Sequence, residues 1–136
     1  MKKSALILGA SSGFGLATAK YLASKNYAIY GVHFDRRKVV QELEPVLNEM
    51  RTQCEIVEYF NINAADEEKR KNCIEQISEK VSGGKIDILM HSLAFGTLKP
   101  MFKGEKVLGP KDLEMTLNVM GHSLIYWTQD LLEKDL

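Results

Sequence analysis

An α/β fold built on one doubly wound parallel sheet is predicted by three observations. Short apolar runs alternate four times with longer stretches whose apolar residues recur at helical spacing. The first run, Ala5-Leu6-Ile7-Leu8, is apolar on both faces, as a strand in the middle of a parallel sheet must be. A glycine-rich turn comes directly after it and opens a small-sided, helix-favouring stretch, Leu16-Ala17-Thr18-Ala19-Lys20-Tyr21-Leu22-Ala23. Strands that alternate with helices imply right-handed crossovers and helices on both faces of the sheet.

Residues 4–8 form the first strand, and the first helix stops at Asn26. Residues 27–34 form the second strand. A charged helix comes next, with Val39, Val40, Leu43, Val46, Leu47 and Met50 three and four apart; Pro45 inside it predicts a kink or restart. Residues 55–60 form a short third strand. Asn63 is the expected cap of the next helix, and Asp66-Glu67-Glu68 occupy its first turn, where the helix dipole favours anions. Ile74, Ile77 and Val81 supply its apolar stripe, and Gly83-Gly84 its end. Residues 86–90 form a fourth strand. A loop with Gly96, Pro100, Gly104, Gly109 and Pro110 leads to a long helix from about Lys111. Its stripe, Leu113, Leu117, Met120, Leu124, Trp127 and Leu131, is spaced like a coiled-coil seam, most of it expected to cover the sheet.

Composition narrows the functional classes. The 136 residues suit one domain, 1–136. Eighteen basic and eighteen acidic residues give no net charge, so neither a nucleic-acid partner nor an anionic membrane surface is expected. Cys54 and Cys73 stand in separate elements without a CxxC spacing, so two reduced thiols are expected and no metal site. The apolar run after Met1-Lys2-Lys3 is too short for a signal peptide or a membrane span, and a cytoplasmic location is the expectation.

The chemistry lies in Gly9-Ala10-Ser11-Ser12-Gly13-Phe14-Gly15. Gly9 permits a tight turn out of the strand, Gly13 allows close approach of backbone to a pyrophosphate, and Gly15 lets the helix pack on the strand. Free N–H groups at the helix start then meet an anion, and the hydroxyls of Ser11 and Ser12 add hydrogen bonds. A nucleoside triphosphatase loop would place Lys-Ser or Lys-Thr after its last glycine; here Leu16-Ala17 stands in that place. The strand–turn–helix context predicts a Rossmann-type dinucleotide site.

The spacing Gly9-x-x-x-Gly13-x-Gly15 resembles the cofactor loop of the short-chain dehydrogenase/reductase family, with Leu8 where the family usually has Thr. The order of elements is similar over the whole chain. The resemblance implies strand order 3-2-1-4, truncated after the fourth βα unit. It sets Asn61-Ile62 beside the adenine, Asp87 before the fourth strand, and Asn118 at the Asn of the family's Asn-Ser-Tyr-Lys proton relay. His91-Ser92-Leu93-Ala94 stands where the family usually carries Asn-Asn-Ala-Gly and is similar to the His-Ser pattern of enoyl-acyl-carrier-protein reductases, so Ser92, Leu93 and Ala94 are candidate cofactor contacts. An enoyl thioester, a keto thioester and a ketone or alcohol stay open as substrates.

The nicotinamide cofactor is NAD or NADP. Asp35, about 20 residues past Gly15, is placed to accept from a ribose 2′-hydroxyl. Arg36 and Arg37 come directly after it, and their forked guanidiniums suit a 2′-phosphate, which tips the reading slightly toward NADP, although both suit a solvated helix start nearly as well. His33 falls near the usual acidic position, though a surface or packed strand residue is the commoner role for such a histidine.

The resemblance also implies a Tyr and a Lys four residues later, after a fifth strand. The expectation is that this chain lacks the pair: Tyr30 has Phe34, and Tyr126 has Asp130, at the fourth place, and the sequence stops at Leu136. Three roles are therefore held open: the cofactor-binding half of an oxidoreductase, inactive alone; a catalytically silent dinucleotide-binding or regulatory module; and an oligomerising remnant. The fourth strand's edge and the last helix are expected to meet another copy, with Trp127 as an anchor.

Overall fold

The computed structural model describes residues 2–81 and 84–136. Strand β1 (Ser4–Leu8) is buried along its whole length because it has a neighbour on each side. It pairs in parallel with β2 (Ala28–His33), from Ser4 opposite Ala28 to Leu8 opposite Val32. On its other edge lies β4 (Ile88–His91), from Ala5 opposite Ile88 to Leu8 opposite His91. Strand β3 (Val57–Asn61) joins the far edge of β2, so the order is β3-β2-β1-β4 and all pairings are parallel, as expected.

The period-two alternation of the strands splits the core into two layers. Ala5, Ile7 and Ile29 face α1 (Gly13–Ser24) and α2 (Arg37–Arg51), where Ala19, Leu22, Leu43, Leu47 and Met50 cover them. Leu6, Leu8, Tyr30 and Val32 face α3 (Glu67–Ser78) and a C-terminal helix, under Cys73, Ile74, Ile77, Trp127 and Leu131. Both thiols are buried and free, as expected. Burial pushes the Cys73 thiol up to about 12, so it stays protonated.

Four expectations need correction. First, α2 does not restart at Pro45 but runs through it as one element. Pro45 lies on the exposed side, where water can satisfy the carbonyl its missing N–H leaves free. Second, Asp66, not Asn63, caps α3: its carboxylate accepts from Lys69 N–H at 3.0 Å. Asn63 spends its side chain on the preceding turn, accepting from Ala65 N–H at 3.0 Å. Third, the fourth strand starts at Ile88. Asp87 is held outside it, its carboxylate accepting from Ser4 N–H at 2.7 Å. The expected stop at Gly83 lies outside the described residues.

Fourth, the long C-terminal helix is interrupted. After α4 (Pro110–Leu117) comes a π-helical turn (Asn118–His122), and then α5 (Ser123–Glu133). The wider turn inserts one residue into the α-helical phase and rotates the apolar positions of α5 by about 100°. The apolar seam therefore splits. Leu113, Leu117, Met120 and Leu124 are exposed, whereas Val119, Ser123, Trp127 and Leu131 form the buried face. No helix among the described residues is long and apolar enough to cross a membrane.

Candidate functional site

A cavity of about 320 Å³ opens at the C-terminal ends of the strands, where open parallel sheets collect their ligands. The glycine turn forms its floor. Gly9 has φ +87°, and a side chain there would bring Cβ to 2.2 Å from the Ser92 carbonyl oxygen. Both Gly9 and Ala10 donate their N–H groups to the Val32 carbonyl, at 2.8 and 3.0 Å, which bends the chain over the end of β2. Gly15 lies so close to the turn that its Cβ would sit 1.9 Å from the Gly9 carbonyl oxygen, so only glycine lets α1 start there. Gly13, at φ +53°, has open space where a Cβ would stand.

Ser12 is the residue before α1, with extended backbone, and its hydroxyl makes no capping bond. Leu16 N–H is bonded to the Ser12 carbonyl at 3.1 Å. The N–H groups ahead of it in the first turn have no helical acceptor. With no acidic side chain in that turn, the positive end of the dipole faces the cavity unneutralised.

The other walls come from each strand end in turn. His33, Phe34 and Asp35 lie at the end of β2; Ile62, Asn63 and Ala64 succeed β3; Ser92, Leu93, Ala94 and Phe95 succeed β4; and Val119 reaches in from the π turn. The wall after β3 is fixed from below, where Trp127 donates its indole N–H to the Ala64 carbonyl at 2.9 Å. The opposite wall is fixed through His91. Its Nε2 lies 2.8 Å from Ser123 Oγ, whose hydroxyl donates to the Val119 carbonyl at 2.6 Å. With its proton so committed, the serine oxygen accepts from His91 Nε2–H. Burial holds the His91 pKa below its ordinary value and keeps the ring neutral. Tyr59 packs across Gly31, and burial raises its phenol well above the ordinary value.

Of the residues singled out from sequence, Gly9, Ser11, Ser12, Gly13, Phe14, Asp35, Ile62, Ser92, Leu93 and Ala94 line this one cavity. Gly15 lies just behind it, against Gly9. Asn61 stands outside and clamps Asp35 instead: its Oδ1 accepts from Asp35 N–H at 2.8 Å and its Nδ2 donates to the Asp35 carbonyl at 3.0 Å. Arg36 and Arg37 are not buried, do not line the cavity, and form no ion pair among the described residues. Asn118 opens the π turn and faces a separate shallow cleft with Lys111, Glu114 and His122.

Two residues whose sequence context points to packing and capping, His33 and Asn63, both line the cavity. The expectation about tyrosines also needs correction, since one Tyr-x-x-x-Lys spacing does occur, Tyr21 to Lys25. It lies at the exposed end of α1, with the Lys25 ammonium 5.4 Å from the Tyr21 ring centroid, and neither residue lines the cavity.

Comparison with known proteins agrees with this architecture. The family model described as short chain dehydrogenase matches residues 3–134. The chain belongs to that family. It is similar to 3-oxoacyl-acyl-carrier-protein reductase from Brucella melitensis in complex with NAD, at 20% identity and a TM-score of 0.79, covering 99% of this chain and 49% of that one. It is also similar to alcohol dehydrogenase from the archaeon Thermococcus sibiricus complexed with 5-hydroxy-NADP, at 22% identity and a TM-score of 0.77, covering 98% of this chain and 53% of that one. L-sorbose reductase from Gluconobacter frateurii, complexed with NADPH and L-sorbose, aligns at 19% identity and a TM-score of 0.77, over 98% of this chain and 47% of that one. This chain thus spans about half the length of those solved structures.

Proposed function

We propose that residues 1–136 are the nicotinamide-dinucleotide-binding part of a short-chain dehydrogenase-type oxidoreductase. The single observation that carries this reading is the cradle at Gly9, Gly13 and Gly15. Side chains at Gly9 and Gly15 would strike backbone, while the space at Gly13 is open toward the bare helix start. A pyrophosphate fits there, held by the first-turn N–H groups and the hydroxyls of Ser11 and Ser12. Of the residues lining the cavity, Asp35 would hold the ribose, Ile62 and Ala64 the base, and Phe14 and Ser92-Leu93-Ala94 the nicotinamide end. When bound, that group supplies hydride for reduction of an enoyl or keto thioester or a ketone. The three solved structures, complexes with NAD, 5-hydroxy-NADP and NADPH, favour this cofactor class.

The chain's own residues supply binding and orientation, with Asn118 held at the start of the π turn as the one member of the family's relay. With no Tyr and Lys lining the cavity among the described residues, these 136 residues bind cofactor and do not turn substrate over. That makes the catalytically silent module the second reading. The exposure of Leu113, Leu117, Met120 and Leu124 favours self-association.

The test is titration with NADH and NADPH, read by nicotinamide fluorescence. Saturation with a dissociation constant below about 1 mM is expected. Gly13→Asp, which tolerates the left-handed backbone and brings a carboxylate to the anion site, is expected to weaken binding at least about tenfold. Absence of saturation by folded wild type overturns the proposal. Hydride transfer to an enoyl or keto thioester by the 136 residues alone overturns the silent reading.

A further inference from the structure

We propose that His33 is a positioning residue that sets the cofactor choice, holding Asp35 so that the site takes a dinucleotide with a free ribose 2′-hydroxyl and rejects a 2′-phosphate. This rests on the dinucleotide reading of the cavity. It runs against the arginine pair that tips the sequence toward NADP.

Four observations support it. His33 is buried, at 5% exposure, with its ring tilted against Tyr59 at 5.9 Å between centroids, so the imidazole has little room to turn. Its Nδ1 lies 2.9 Å from Asp35 Oδ2; a carboxylate only accepts, so Nδ1–H is the donor and the tautomer is fixed. The Asp35 backbone is held at the same time at both its N–H and its carbonyl by the Asn61 amide. Asp35 lines the cavity, and its second carboxylate oxygen has no partner among the described residues.

A carboxylate fixed in this way is an acceptor waiting for a hydroxyl donor. A phosphate has no proton to offer it and brings like charge against it. Arg36 and Arg37 are exposed where α2 begins, and among the described residues nothing preorganises either guanidinium toward the cavity. A group held by surrounding contacts discriminates better than one that must be ordered on binding.

Competition between NADH and NADPH for the full chain, at one ionic strength, tests the assignment. The expected wild-type result is a dissociation constant for NADH lower than that for NADPH by at least about tenfold. His33→Phe keeps the ring and the Tyr59 contact but removes the donor; the ratio is expected to fall by at least about threefold. His33→Asn returns an N–H donor near the Nδ1 position and is expected to restore the ratio. Simple structural damage would weaken both dinucleotides together and leave the ratio unmoved. A wild-type ratio at or below one, or an unchanged ratio in His33→Phe, overturns the assignment of His33 while leaving the dinucleotide reading intact. Failure of both dinucleotides to bind overturns that reading and this one with it.

Discussion

Trp127 and Ala64, 63 residues apart in sequence, are joined by one buried hydrogen bond, indole N–H to carbonyl oxygen at 2.9 Å. Trp127 is fully buried in the layer beneath β2 and β1, and Ala64 is part of the cavity wall after β3. This polar atom pair therefore couples the core to the cavity wall after β3. Arg70 and Asp130 add an ion pair with little exposure between α3 and α5, which ties α5 a second time to the β3–α3 region.

Trp127→Phe should expose the cost of that bond. The ring still fills most of the volume, but the Ala64 carbonyl loses its donor inside the protein. The expected destabilisation is about 1–3 kcal/mol, read as a lower urea midpoint with little change in slope. Cofactor affinity should fall with it, because the wall carrying Ile62, Asn63 and Ala64 loses its support. A variant as stable as wild type would show that the bond contributes nothing net.

His91 gives the fold a pH dependence whose sign is set by its burial. The folded imidazole has a pKa below the ordinary value, so the unfolded chain takes up a proton near pH 6.5 that the folded chain still refuses. Wherever the unfolded state binds more protons, stability rises with pH. The contribution is complete above that pH and is lost progressively as pH falls from there to the folded value. Urea unfolding between about pH 5 and 8 should show the decline in wild type and a flatter profile in His91→Asn. An unchanged decline in the variant would show that His91 does not carry the effect.

The features legible in the sequence were local. The buried run of β1, the glycine turn and the small-sided α1 are dictated by periodicity and by backbone angles that only glycine takes easily, and each is visible within a dozen residues. The features that stayed hidden depend on partners far along the chain. The seam from Leu113 to Leu131 reads as continuous because nothing in its spacing announces a π turn. The turn coincides with the Ser123 hydroxyl bonding back to Val119 and with His91, 32 residues earlier, meeting that same hydroxyl. Asn63 and Asp66 are equally good caps on paper, and only the geometry of the β3–α3 turn assigns one to each job. Arg36 and Arg37 advertise a phosphate in sequence, yet both lie outside the cavity.

Gly9→Ala tests the cradle by sterics alone. The new methyl would sit 2.2 Å from the Ser92 carbonyl oxygen, which is backbone and part of the turn after β4, and φ at this position is +87°. Neither side can yield cheaply, so a loss of more than about 3 kcal/mol is expected, at the upper end for single substitutions. Thermal melting by circular dichroism would register it. Gly13→Ala meets no atom within 4 Å and carries only the left-handed backbone strain, about 1–2 kcal/mol. Equal losses at the two positions would mean that the close approach of the turn to Ser92 adds nothing to the cost of a side chain at Gly9.

The divided seam makes its own prediction, because the two parts should fail differently. Leu131 is buried against the sheet, so Leu131→Ala should cost about 2–5 kcal/mol of stability. Leu117 and Leu124 are exposed on either side of the π turn, so the double change Leu117→Glu, Leu124→Glu should leave the monomer's stability within about 0.5 kcal/mol per site. If self-association uses that face, the same double variant should sediment as a monomer at concentrations where wild type does not. A wild-type chain that is monomeric throughout would remove the oligomer from the reading. A double variant that unfolds would mean the seam is continuous after all, with Leu117 and Leu124 on the same buried face as Trp127.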